Sequence, residues 1–523
     1  MDSQLPVLIV GAGPSGLAMA SALAHLKIPF RIIDKNNSIV SGSNATWLQP
    51  RTLQFFSILG VIGQFLKKGH RCHSLDLRAR GKTFGLIPFA QNGSIYPFVL
   101  MLPQCETEKL LTGHLETQGV TVERSVTLRE LTQTADHAVA TLRMPEGQDE
   151  SASFSWVIAC DGSASTVREI CHTPFVGSPL PGQFVVADAV MSTFLSPGEL
   201  HVFFDRETVC AVFPIGSQRY RISANLHQSH PRKIFTEMEV REIVAERTDG
   251  NFTVDKVSWI SPFWTHSRLI ENMRQGRVFF VGDAAHMHSP AGGQGLNSGI
   301  QDVSNLAFKL ALVMQGLADS AFLDSYHAER HPVISHTVAA SEKFTRIVQS
   351  KVSVRKKWDE LIAPSPETLP AQIGRQIAQM HVCYDSPVIS LSGRKDVPSA
   401  PQPGECAPDA TLGAGVSLYT ALQAMKHVVL IFCGEEDVSA TLAFQHHCQE
   451  KFKQYAKVLR VMRTADTEDA VLADPQGILH ALYHVGAAAL YVIRPDGHVA
   501  GCSSDLDMGV LEAVFSKYRR VLK

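Results

Sequence analysis

Three glycines, Gly11, Gly13 and Gly16, stand at GxGxxG spacing between an apolar run, Leu5 to Val10, and a stretch of helical rhythm, Pro14 to Leu26. That order suits the binding of a pyrophosphate. The first glycine permits a tight turn, the second lets the anion approach the backbone, and the third allows close helix–strand packing. The helix start, with Ser15 in the turn, offers free N–H groups and a positive dipole. Asp34 closes the next strand, Phe30 to Ile33, where a carboxylate can accept a ribose hydroxyl, and Lys35 follows it. The motif points to a dinucleotide and does not separate FAD from NAD.

Two further segments bear on that choice. One runs Val278-Phe-Phe-Val-Gly-Asp283-Ala-Ala-His286 and continues through Pro290-Ala-Gly-Gly293-Gln-Gly295-Leu296-Asn297. The other is Ala159-Cys-Asp161-Gly-Ser163 with Ser165 and Arg168. They resemble the GD and DG motifs of the single-component (group A) FAD-dependent aromatic hydroxylases. With the tail Leu323-Asp-Ser-Tyr-His-Ala-Glu-Arg330, the chain is similar to the phenol 2-monooxygenase branch over essentially its whole length. The resemblance implies FAD as cofactor and NADPH or NADH as transient reductant. It assigns Asp283 to the ribityl chain and implies the same for Gln104. Asp161 and Arg168 would serve FAD and NADPH alike, and Arg51, in Gln49-Pro-Arg-Thr-Leu, would contact flavin or cap its helix. Pro290, Gly293, Gly295, Leu296 and Asn297 would bring backbone N–H groups to the flavin, where a helix dipole stabilises negative charge on the reduced ring. The chain departs from the family at Asn44, where many relatives carry arginine, and at Gln54, where glutamate is usual.

These residues need an α/β frame. The expectation is a Rossmann-like FAD-binding domain over residues 1–385, with an antiparallel substrate sheet inserted at about 66–100 and 175–270. A linker over 386–408, rich in proline, leads to a thioredoxin-like α/β domain over 409–523. The opening Gly404-Glu-Cys-Ala-Pro-Asp-Ala resembles thioredoxin-fold proteins. No CxxC pair is present among the ten cysteines, so thiol chemistry is not expected there. A chain of 523 residues exceeds one hydrophobic core. With 48 Lys+Arg against 50 Asp+Glu it has no basic excess for nucleic acid. No apolar run approaches a bilayer span, and the reading is a reduced, cytoplasmic protein. The clusters His70/Cys72/His73 and His446/His447/Cys448 lack metal-site spacing, so no metal is expected.

The resemblance implies that NADPH reduces FAD, that dioxygen adds to give a flavin hydroperoxide, and that its distal oxygen passes to a phenolic or other electron-rich ring. Apolar strands around Val202 to Phe204 and Val209 to Phe213 would keep the chamber dry. His201, Tyr220 and Arg221 are the candidate substrate-side residues. Two alternatives stay open: a Baeyer–Villiger or epoxidising monooxygenase on a bulky polycyclic substrate, and a catalytically silent flavoprotein. A homodimer is one further expectation.

Overall fold

Val7–Val10 is buried at every position and pairs in parallel with Phe30–Asp34 on one side and Trp156–Ala159 on the other. A strand covered on both faces must be apolar throughout, which explains the unbroken run. This pairing starts a six-stranded sheet in the computed structural model, which describes residues 5–40, 42, 45–205, 208–226, 234–289, 292–348, 358, 368–386, 393–412, 416–433, 438–463 and 471–518. Val278–Phe280 adds beside Trp156–Ala159, so the GxGxxG, DG and GD segments all leave the same parallel sheet at neighbouring strand ends. Loops at the carboxyl ends of adjacent parallel strands converge, and this positions the site. Helix Pro14–His25, rich in alanine, packs closely on helix Gly295–Met314. Carbon added at Gly299 or Gly282 would stand 2.4 or 2.7 Å from Ser15 Oγ. Ser15 is thus wedged between the first and last motifs.

The second layer is an eight-stranded sheet built on two 19-residue strands, Phe175–Thr193 and Phe252–Ile270, paired antiparallel. Arg219–Leu226, Thr208–Gly216 and Glu199–Asp205 follow antiparallel, then Ser74–Ala79 parallel to Glu199–Asp205. Pro179 and Gly182 suggest an interruption, yet the long strand continues because its register shifts between Pro179 and Gln183 and absorbs them as a bulge. Helix Glu237–Arg247, started by a Thr236/Glu239 capping box, covers one face together with Tyr220, Ile222 and Phe252. Trp47, Leu75, Phe204 and partly buried Phe213 pack on the other.

A mixed five-stranded sheet closes the chain, in the order Val471–Ala473, Ala456–Met462, His427–Phe432, Ala489–Ile493, Val499–Ser503. Part of the expected linker belongs to this unit. Gly404 donates to the Val499 carbonyl at 2.8 Å and Ala407 to that of Gly497 at 2.9 Å, so this stretch is strand-like. The unit packs on Phe308, Leu312 and Phe322 and against helix Pro50–Ile58. Among the described residues no helix is long and apolar enough to cross a membrane.

Candidate cofactor and substrate site

The glycine cradle divides its labour in space. A Cβ at Gly11, where φ is +99°, would lie 2.4 Å from the Cys160 carbonyl oxygen, and one at Gly16 would lie 1.9 Å from that of Gly11. Both are fixed by packing. Gly13 meets nothing within 4 Å, so its missing side chain leaves room for a ligand rather than for protein. It precedes helix Pro14–His25 with no side-chain cap, and the N–H groups of the first turn stay available. Asp34, itself buried, accepts from Ala12 N at 2.7 Å and Asn36 N at 2.8 Å, bracing the turn, with Arg124 Nη1 4.0 Å from its Oδ2. Lys35 is exposed beside it. Gln104 opens helix Gln104–Thr117 and donates to Glu108 Oε1 at 2.9 Å.

Asp161 caps the short helix Thr166–Ile170, taking Ser165 Oγ at 2.6 Å and Val167 N at 3.0 Å. Arg168 reaches the Ser163 and Ala284 carbonyls at 2.7 and 3.1 Å, tying the DG segment to the GD segment. Its ring partner is Phe175, at 4.1 Å. Asp283, in the turn Gly282–Ala284, is exposed to solvent. Burial pushes its carboxyl up. Burial likewise draws His288 down to about 4, so its ring is neutral near pH 7.

Gly293, at φ +62°, presses under Trp47, whose ring a Cβ would meet at 2.7 Å. Gly295 then starts helix Gly295–Met314, again without a side-chain cap. Leu296 and Asn297 lie in that first turn, so their N–H groups point along the free helix end. The Asn297 side chain has another task. It accepts from Gln49 N and Thr52 Oγ1 at 2.9 and 2.7 Å and donates to the Trp47 and Gly293 carbonyls at 2.9 and 2.7 Å. Gln49 in turn donates to the Gly292 carbonyl at 3.1 Å, while its Oε1 is buried without a partner. Two uncapped helix starts, the open space at Gly13, the accessible Asp283 and the orphaned Gln49 oxygen suit a flavin dinucleotide. Pro290 and Asn44 lie outside the described residues.

Register separates the three substrate-side candidates. Phe213 faces Arg221, Arg221 faces Asp188, and Asp188 faces Trp259, which places all four in one row on one sheet face. Phe213 meets Trp47 edge-on at 5.1 Å, so this row faces the glycine loop. Arg221 is paired with Asp188 through Nε and, at 2.9 Å, through Nη2, with its guanidinium 5.3 Å from the Trp259 ring. Tyr220 and His201 are on the opposite face. Tyr220 packs 5.4 Å from the Phe252 ring, and His201 packs 5.9 Å from it, bonded to Asp76 at 3.1 Å and the Ser196 carbonyl at 3.0 Å. Sequence alternation on paired strands decides this, and it could not be read without the pairing. Trp47 and Trp259 line the region although nothing in the sequence marks them, whereas Phe213 ends one of the apolar strands expected to wall the chamber.

Arg51 turns away from the cradle, into the C-terminal unit, where Tyr419, Asp496 and His498 receive it. As for metals, Asp76, Glu199 and His201 bring potential ligand atoms within 4.8 Å of one another. Arg78 already occupies Asp76 at 2.8 Å, a cation in place.

Residues 4–341 match the FAD binding domain family. The chain is 30% identical to an uncharacterised aromatic compound monooxygenase of Bacillus subtilis (strain 168), covering 96% of this chain and 94% of that protein. It is 29% identical to 6-methylpretetramide 4-monooxygenase of Streptomyces rimosus, over 94% and 90% of the two chains. Among solved structures, anhydrotetracycline hydroxylase from Streptomyces rimosus superimposes with a TM-score of 0.76 at 26% identity, covering 98% of this chain and 99% of that one.

Proposed function

The chain belongs to the family of FAD-dependent aromatic hydroxylases, and from that premise we propose that it uses NAD(P)H and dioxygen to place one oxygen atom on a phenolic or other electron-rich ring. When bound, the flavin supplies electron transfer from the nicotinamide and activation of dioxygen. The protein supplies position, dryness and charge.

The observation that carries the reading is the row Phe213, Arg221, Asp188, Trp259, facing the glycine loop through Trp47. Aromatic faces hold a flat ring, and the buried Arg221–Asp188 ion pair lays a dipole across the row with its positive end at Arg221. A ring hydroxyl set at the Arg221 end of that pair ionises more readily than one at the Asp188 end, and a phenolate is the more electron-rich nucleophile. Trp47, Phe204 and Leu75 on the same face exclude water, which protects a reactive oxygen donor from hydrolysis. The cradle residues Gly11, Gly13, Ser15, Gly16 and Asp34 would hold the dinucleotide, with Lys35 at its edge. Asp161, Arg168, Gln104 and Asp283 would line its length. The start of helix Gly295–Met314 would meet the flavin's pyrimidine edge. The matched relatives are named for substrates from pentachlorophenol to anhydrotetracycline, which supports a phenolic class. We read the five-stranded C-terminal unit as thioredoxin-like on its element order and the Gly404-Glu-Cys-Ala-Pro-Asp-Ala opening, without a CxxC pair for redox work.

The test is to purify the protein, record its visible spectrum, and follow NADPH oxidation with oxygen uptake over mono- and polycyclic phenols. A flavin spectrum, substrate-stimulated oxidation and a product heavier by one oxygen are expected. A colourless protein that FAD cannot reconstitute would sink the reading.

A further inference from the structure

The turn Gly282–Ala284 carries Asp283, and one oxygen of Asp302 grips that turn from both ends. Asp302 Oδ2 accepts from Gly282 N at 3.1 Å, where the turn starts, and from His286 Nε2 at 2.7 Å, where the next strand starts. Asp302 sits about two turns inside helix Gly295–Met314, the helix whose uncapped start faces the glycine loop. Its other oxygen, Oδ1, accepts from Arg330 Nε at 2.8 Å. Arg330 continues to the Ser298 carbonyl and the Tyr384 hydroxyl at 3.3 and 3.4 Å. Asp302, His286 and Arg330 are all buried. Burial opposes the Asp302 charge, yet Arg330 and His286 outweigh it and hold the carboxyl below its ordinary value.

The bond directions fix His286 as well. A carboxylate only accepts, so the ring proton sits on Nε2. Nδ1 is buried without a partner, and a second proton there would be a donor with nothing to receive it. The turn is backed on its other side by Ser15, whose Oγ would stand 2.7 Å from a Cβ at Gly282. Its two ends are therefore held between the first helix and Asp302, while Asp283 between them is exposed.

We propose that Asp302 is a positioning residue of the flavin site: it sets the angle at which the turn presents Asp283 to the dinucleotide, and it acts through that turn. The inference rests on the flavin reading above. Asp302 serves as the acceptor shared by Gly282 and His286, and Arg330 is its counter-charge.

Removing Asp302 alone would strand Arg330 as a buried cation, so the test uses pairs of substitutions. Asp302→Leu with Arg330→Met takes away the carboxylate and its cation together. Asp302→Asn with Arg330→Met keeps one oxygen for Gly282 and His286. FAD affinity is read by fluorescence titration of the apoproteins. The first pair should bind FAD at least tenfold more weakly than wild type, and the second within threefold of it. In an Asp283→Ala background the first pair should change affinity by less than threefold. A tenfold loss that persists in that background, or an equal loss in both pairs, would mark a merely structural ion pair and overturns the proposal. Imidazole 15N NMR of the wild-type apoprotein, with His286 assigned by His286→Gln, needs neither flavin nor a change at Asp302. It should show Nε2 protonated and Nδ1 bare; an Nδ1–H ring overturns the proposal. A wild type that binds no FAD while His286 keeps this tautomer defeats the flavin reading and this inference with it. FAD binding that is unchanged in the first pair defeats this inference alone.

Discussion

Asn297 Oδ1 accepts the main-chain N–H of Gln49 at 2.9 Å, joining the start of one helix to the approach of another across 248 positions of sequence. Three further bonds, with Thr52, Trp47 and Gly293, use the rest of the amide. Asn297→Ala therefore leaves several buried groups unpaired and should cost about 2–4 kcal/mol in urea unfolding of the apoprotein. Asn297→Asp should be worse. It keeps both accepted bonds but turns a carboxylate oxygen toward two carbonyls that expect a donor. Equal stability of Asp and Asn variants would show that the amide donors contribute nothing.

The cradle glycines should separate folding from binding. Gly11→Ala forces a positive φ and a carbon 2.4 Å from the Cys160 oxygen, so apoprotein stability should fall by about 1–3 kcal/mol. Gly13→Ala has extended backbone, φ −76°, and nothing within 4 Å, so the apoprotein should unfold as the wild type does. Its methyl occupies the approach to the helix start, and FAD affinity, measured by fluorescence titration, should drop at least tenfold. Unchanged affinity in Gly13→Ala would place the dinucleotide elsewhere.

Such local chemistry is what sequence can express. GxGxxG folds through its own turn, so the close packing at Gly11 and Gly16 and the open space at Gly13 are legible from spacing alone, as is the buried strand His427–Phe432 from its composition. Sheet faces are not, because they depend on which strands pair and in what register. His201 and Arg221 look equivalent as polar residues on strands, yet pairing sends them to opposite faces. Arg51 is a further case: its acceptor, the Asp496 carbonyl, lies 445 residues away. Nothing near Gln49-Pro-Arg51 signals that distance; the local sequence offers only flavin contact or a helix cap.

The face assignment has a kinetic consequence. Arg221→Gln leaves the buried Asp188 carboxylate without its cation, so it should cost about 3–5 kcal/mol of stability and also raise KM for a phenolic substrate about tenfold, or ~1.4 kcal/mol, with bound FAD unchanged. Tyr220→Phe and His201→Ala change the side away from the glycine loop, and KM should stay within twofold. His201→Ala should instead cost about 1–3 kcal/mol, because Asp76 and the Ser196 carbonyl lose a buried partner. Steady-state assays beside thermal unfolding check both. A KM effect in His201→Ala with normal stability would reverse the assignment of faces.

One carboxylate, Glu329, serves two cations: Arg494 at 3.2 and 2.9 Å and Lys309 at 2.8 Å, all of them buried. Burial, together with the neighbouring Arg494, outweighs Glu329 and draws Lys309 down to about 8 from 10.5. The sign of the consequence follows from proton counting. Below pH 8 the folded and unfolded chains both hold this proton, and the group adds no pH dependence. Between pH 8 and 10.5 the unfolded chain holds it and the folded chain does not, so stability should rise with pH, by about 3 kcal/mol at most. Lys309→Met should abolish that rise. At pH 7 it should cost little, since Glu329 and Arg494 remain as an equal pair. Glu329→Gln leaves the buried Lys309 without a carboxylate and Arg494 with Asp496 alone, and should cost about 3–5 kcal/mol. Denaturant titrations of the three proteins at pH 7, 8.5 and 10 decide it. A Lys309→Met variant as damaged as Glu329→Gln, with the alkaline rise intact, would mean that Lys309 is a needed partner rather than the surplus charge.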